Sequence, residues 1–188
     1  LKDRRVGIQE SKDTKAATNP VVDQKLPAER PDTPRSTTPK PMPSVDQLMT
    51  TGREHFDRNH FDKASEIYSQ VIEIDPSNAE AYDKRGACQF NSGAFKVSLA
   101  DFTNAIELAP ANPEFLKHRA MSYASLRQFD PAIGDIERAI SLNPSDSHSF
   151  REAAAIIYSN RAAERSNAKQ FAEAANDVTQ AIKHFPEG

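Results

Sequence analysis

Four phrases that end in proline recur along the chain, and their spacing constrains the fold more than any other feature. They are Val-Ile-Glu-Ile-Asp-Pro at 71–76, Ala-Ile-Glu-Leu-Ala-Pro at 105–110, Ala-Ile-Ser-Leu-Asn-Pro at 139–144 and Ala-Ile-Lys-His-Phe-Pro at 181–186. Their prolines, Pro76, Pro110, Pro144 and Pro186, lie 34, 34 and 42 residues apart. Fifteen residues before each proline stands a phenylalanine: Phe61, Phe95, Phe129, Phe171. Twelve before stands a small residue: Ala64, Ser98, Ala132, Ala174. Twenty-four before stands Gly52, Gly86, Ala120 or Ala162, and twenty-eight before stands Leu48, Tyr82, Leu116 or Tyr158. Self-similarity at such a period marks an array in which each unit buries its apolar face only by stacking on a neighbour.

Within each unit the apolar spacing is helical. Ala64, Ile67, Tyr68, Val71 and Ile72 share one helix face, as do Ala132, Ile133, Ile136, Ala139 and Ile140. Each proline stops its helix, since it cannot continue the hydrogen-bond ladder. Capping signals surround these stops: Ser44 with Gln47, Ser77 with Glu80, and Asn112 followed by Pro113. The pattern predicts an all-α chain of four helix pairs, with repeats at 45–78, 79–112, 113–146 and 147–188. Turns fall around Asn59–Phe61, Gly93–Phe95 and Gln128–Phe129. The small residues Gly52, Ala64, Gly86 and Ala120 let the helices of a pair approach closely. The eight extra residues of the last interval contain two registers, Phe150, Ala154 and Ile157 against Tyr158 and Ala162. A lengthened helix over 147–167, which holds no Gly or Pro, satisfies both. Its polar end, Glu164 to Asn167, is expected to project beyond the stack. The last helix leaves Ala172, Ala175 and Val178 as an uncovered face, for which further repeats, a partner or a second copy are the candidates.

Composition changes sharply near residue 44. All 14 Phe and Tyr residues follow it, and seven of the 13 prolines precede it. Residues 1–43 carry nine Lys or Arg against six Asp or Glu. Such a segment cannot bury enough apolar surface to offset its ordering entropy, so 1–43 reads as a disordered Pro-rich tail or linker. The Pro34–Pro43 stretch favours polyproline II, with a docking motif as the alternative. The tail has a net charge of +3 and the rest -6, so the tail is also a candidate to fold over the repeats. The mean hydropathy of -0.69 then reflects both this tail and a thin, one-dimensional core.

The residues Tyr82 to Gly86, Phe95, Ala105 and Pro110 make one unit that resembles the tetratricopeptide repeat family. Tyr158 to Ala163 with Phe171 and Ala174 make another. The resemblance covers 45–188 and implies an α-α superhelix whose first helices line a concave groove for an extended peptide or a partner helix. Helical spacing gives the inner-face candidates. They are Met49, Arg53 and Phe56, then Asp83, Lys84, Ala87 and Asn91, then Lys117, His118, Met121 and Ser125, and finally Arg151, Ser159 and Asn160. One branch of the family grips the C-terminal carboxylates of heat-shock chaperones with two Lys, two Asn and an Arg. Here the corresponding places hold Met49, Arg53, Lys84, Glu114 and His118, and Asn160 matches one asparagine only in the last unit. That ligand is not expected.

No catalytic signature is present: no Gly-rich phosphate loop, His-Glu-x-x-His, Cys-x-x-Cys or Gly-x-Ser-x-Gly. His55, His60, His118, His148 and His184 lack the spacing of a helical metal pair. Cys88 is the sole cysteine and reads as a small core residue. No cofactor or metal is expected. The net charge of -3 gives no reason to expect nucleic acid, and no apolar run reaches the length of a membrane span. The expected function is a noncatalytic protein-interaction module, an adaptor or scaffold. The alternatives are a regulatory region of a larger enzyme and self-association through the C-terminal helix. A cytoplasmic location is the default, and the start at Leu1 keeps an exported or periplasmic protein as the alternative.

Overall fold

The computed structural model describes residues 42–145 and 147–184. The expected tail therefore lies outside the described residues except for Met42 and Pro43, and Pro186 lies outside them too. Among the described residues there are eight helices and no strand. They run α1 Val45–Asp57, α2 Phe61–Ile74, α3 Ala79–Asn91, α4 Phe95–Leu108, α5 Pro113–Ser125, α6 Phe129–Leu142, α7 His148–Asn167 and α8 Phe171–His184. The helices pair as α1 with α2, α3 with α4, α5 with α6 and α7 with α8. The pairs stack in chain order, α2 on α3, α4 on α5 and α6 on α7, and the first helices α3, α5 and α7 also touch in sequence. The array is therefore a solenoid of four helix-turn-helix repeats. No helix of the described residues is long and apolar enough to cross a membrane.

Local chemistry sets the helix ends. Helices α2, α4 and α6 each stop two residues before Pro76, Pro110 and Pro144, because the residue before a proline is pushed out of the helical region. Ser44 and Gln47 form a reciprocal capping box on α1, and the Asn112 side chain accepts the Glu114 N–H with Pro113 opening α5. The Ser77–Glu80 box does not form. Asn78, one residue nearer, caps α3 by accepting the Ala81 N–H at 3.0 Å. Asp75 instead accepts both the N–H and the hydroxyl of Ser77, at 3.1 and 2.7 Å. These bonds hold the Asp75 carboxyl below its usual range. Inside each pair the turn passes through one left-handed residue at an equivalent place: Asn59, Gly93, Arg127 and Lys169, with φ of 59°, 78°, 60° and 61°.

Close approach within a pair depends on the small residues. A Cβ on Gly52 would lie 2.7 Å from the Tyr68 ring, and one on Gly86 would lie 2.8 Å from the Phe102 ring. Both rings are buried, so a methyl there must displace a packed ring. Ala64 and Ala132 are also fully buried. Ser98 is buried too, and its hydroxyl lies 2.8 Å from that of Ser122 across the α4–α5 contact.

A second device crosses each pair from repeat two onward. Arg85 donates two bonds to Asp101 (2.8 and 2.6 Å), Arg119 two to Asp135 (2.7 and 2.8 Å), and Arg161 two to Asp177 (3.1 and 2.7 Å). These forks match a planar guanidinium to a carboxylate. The Asp101 bonds raise the Arg85 pKa and the Asp135 bonds raise that of Arg119, in each case against burial. At Arg161 burial pulls down, and the bonds to Asp177 and Asp130 outweigh it. The first pair has Thr51 and Ile67 at these positions.

Helix α7 is 20 residues long and buries Phe150, Ala154, Ile157, Tyr158 and Ala162 along one stripe. Its polar end does not stand free, as the polarity of Glu164–Asn167 had suggested. Arg165 donates to the fully buried Asp177 at 2.8 Å, and Glu164 lies 3.3 Å from Arg127. At the end of the stack, α8 shows Phe171 (64% exposed), Val178 (47%) and Ile182 (59%), with Ala172 and Ala175 also exposed.

Candidate functional site

The first helices bring seven of the sequence candidates together. Phe56 of α1, Ala87 and Asn91 of α3, and His118 and Met121 of α5 line a cavity of about 250 Å³ with Phe90 and Phe102. A second cavity of about 310 Å³ is lined by Arg53, Phe56, Asp57, Tyr68, Lys84, Ala87 and His118. The two share Phe56, Ala87 and His118, so they form one joined depression across the first three repeats. Helical spacing causes this: Arg53 and Phe56, Lys84 with Ala87 and Asn91, and His118 with Met121 each lie three or four residues apart on one face.

The remaining candidates line neither cavity. Met49 is half-buried and packs on the Leu48–Val71 and Ala64–Tyr68 clusters. Lys117 binds Glu114 at 2.6 Å and lies over the Phe150 ring at 5.4 Å, which turns it toward α7. Ser125 is exposed and donates to the Met121 carbonyl. Arg151, Ser159 and Asn160 of α7 are exposed and separate from the depression.

Asp83 plays a different part. It is only 2% exposed, so it offers no carboxylate to the groove. Its Oδ1 lies 2.6 Å from His118 Nδ1 and its Oδ2 lies 3.5 Å from Lys84 Nζ. A carboxylate only accepts, so the proton of this bond sits on Nδ1 and the imidazole orientation is fixed. The His118 ring also leans on Phe102 with centroids 5.6 Å apart. Burial explains why α3 carries an acid there at all: Asp83 positions a groove residue from behind.

Phe90 and Phe102 complete the apolar wall, and neither was named from the sequence as a groove residue. Phe90 stacks edge-on against Phe95 at 5.2 Å. Its signal is its place three residues after Ala87 on the same helix face. Phe102 reaches the cavity because Gly86 lets its ring lie across α3. Cys88, also on α3, is buried away from this surface, and burial pushes its thiol up to about 12. Among the described residues no three His, Cys, Asp or Glu side chains are grouped to hold a metal ion.

The sequence pattern of the TPR repeat matches residues 52–93, and that of the tetratricopeptide repeat matches 116–146. The chain carries tetratricopeptide repeats. A human relative, small glutamine-rich tetratricopeptide repeat-containing protein beta, is 32% identical over 66 residues, which is 35% of this chain. The match spans only 22% of that relative's length. Among solved structures, MamA 41-end from Desulfovibrio magneticus RS-1 superposes with a TM-score of 0.60 at 16% identity, over 75% of each chain. The first TPR of Spaghetti (RPAP3), bound to the HSP90 peptide SRMEEVD, superposes with a TM-score of 0.54 at 19% identity. That match covers 76% of this chain and 94% of the other. At these identities the likeness is one of fold. The tetratricopeptide array here carries its depression on the first helices of repeats one to three.

Proposed function

We propose that this chain is a noncatalytic interaction module that binds a peptide or partner helix in the depression between α1, α3 and α5. The observation that carries this reading is the pair of joined cavities: aromatic and methionine walls beside partly exposed Arg53, Lys84 and His118. Apolar walls with a few polar groups are the composition of a ligand site. A fold relative whose structure contains a bound peptide supports it. The test is selection of displayed random dodecapeptides on the full chain, followed by titration against Ala87→Trp. Ala87 lines both cavities, so an indole there fills them. Selected peptides should bind Ala87→Trp at least tenfold more weakly while the thermal melt stays within a few degrees. Equal binding would contradict the proposal.

A second reading, self-association through α8, is favoured by the exposed Phe171–Val178–Ile182 stripe. It predicts a concentration-dependent sedimentation coefficient that Val178→Glu abolishes, and a monomer at all concentrations would remove it.

A further inference from the structure

We propose that the joined cavities select an extended peptide segment carrying a tyrosine beside an acidic residue; this deepens the peptide-binding reading above and rests on it. The walls of the smaller cavity are apolar, with phenyl rings from Phe56, Phe90 and Phe102 and the adaptable thioether of Met121. An apolar cavity of roughly 150 Å³ accepts a benzene ring. One of about 250 Å³ therefore has room for a phenol. Aromatic walls favour an aromatic guest through edge and offset contacts.

Two polar side chains line the same cavity. Asn91 spends an amide hydrogen on the Ala87 carbonyl at 2.8 Å. His118 has Nδ1 committed to Asp83, while Nε2 has no partner among the described residues and is not shut away from solvent. A guest that covers this ring must satisfy Nε2 or leave it desolvated. With Nδ1 protonated, a neutral ring presents Nε2 as an acceptor, and an imidazolium presents it as a donor. A hydroxyl both donates and accepts, so it suits either state. An indole N–H suits only the neutral ring, a carboxylate suits only the imidazolium, and a phenyl suits neither. An apolar ring tipped with a hydroxyl is the tyrosine side chain.

The adjoining cavity supplies the second half of the recognition. Arg53 and Lys84 line it against the single carboxylate of Asp57. Among the described residues Arg53 is held only by an exposed contact of 3.6 Å to Glu80, which an incoming carboxylate displaces easily. Because His118 and Phe56 belong to both cavities, the acidic residue falls next to the tyrosine along the peptide.

The test uses the full chain and the displayed dodecapeptides that bind it but not Ala87→Trp. These should carry Tyr with Asp or Glu within two residues. Replacing that Tyr by Phe should weaken binding about tenfold, the scale of one hydrogen bond to a partly enclosed partner. In Asp83→Asn/His118→Phe, which leaves no carboxylate buried without its partner, the Tyr and Phe peptides should bind alike. The Tyr-to-Phe change on the peptide needs no altered protein, so it decides the matter even if the double variant fails to fold. Groove-dependent peptides indifferent to that change would overturn this inference and leave the peptide-binding reading standing. Finding no groove-dependent peptide would overturn both.

Discussion

Replacing two glycines by alanine should move stability in opposite directions. Gly86 and Gly134 both lie inside helices, in α3 and α6. On an exposed helix, Gly to Ala stabilises by about 1 kcal/mol through backbone entropy. Gly134 has nothing within 4 Å of where a Cβ would stand, so Gly134→Ala should gain about that amount. At Gly86 the same methyl would meet Phe102 Cε1 at 2.8 Å and Cδ1 at 3.0 Å. Phe102 is 1% exposed, so its ring must shift from a packed place to admit the methyl. Overpacking of this kind costs roughly 1–3 kcal/mol, and after the entropic gain Gly86→Ala should lose about 1 kcal/mol. Urea unfolding followed by far-ultraviolet circular dichroism reads the difference. The midpoints should move apart by about 1 M, one up and one down. Adding Phe102→Leu should make Gly86→Ala favourable, because the clashing ring edge is gone. If Gly86→Ala stabilises as much as Gly134→Ala in the parent chain, the close approach of α3 and α4 is not what selects glycine there.

Three further outcomes follow from buried groups. Arg119→Met should cost roughly 3 kcal/mol by stranding the mostly buried Asp135, and Asp135→Leu in the same chain should recover most of it in a urea titration. Burial that pushes the Cys88 thiol up to about 12 should slow its reaction with a disulfide reagent at pH 8 by on the order of a thousandfold relative to the urea-unfolded chain. Burial also lowers the His184 pKa, and this ring stacks on Tyr158 with centroids 5.7 Å apart. The unfolded chain therefore takes up a proton first, and stability present above pH 6.5 should fall as the pH drops below it. His184→Gln should flatten that part of the pH–stability curve.

The order of helices was legible because the signals that set it are local and repeated. Prolines stop α2, α4 and α6, small residues mark close contacts, and one apolar stripe runs along each helix. The Ser77 signal misleads because two capping residues stand side by side: Asn78 caps α3, and Asp75 takes the Ser77 hydroxyl. The arginine–aspartate forks were present at constant places before each proline, Arg85, Arg119 and Arg161 with Asp101, Asp135 and Asp177. Apolar periodicity does not reveal them, because it says nothing about which charges meet across a pair.

The groove shows the same division. Spacing assigns a residue to a face, so Phe56, Ala87, His118 and Met121 could be grouped from sequence. It does not tell depth, so Asp83 falls among the inner-face candidates although its neighbours bury it. Nor does it show that an aromatic ring from a second helix, Phe102, reaches through the gap left by Gly86. Arg151, Ser159 and Asn160 share the first-helix pattern, yet they stand apart from the depression on α7.

The central claim is that ligand binds on the first-helix face. Amide chemical-shift mapping of the isotope-labelled full chain, titrated with a selected dodecapeptide, tests it most directly. Shifts should concentrate at Phe56, Ala87, Phe90, His118 and Met121, with α8 unaffected. Shifts concentrated on Phe171, Val178 and Ile182 would contradict it.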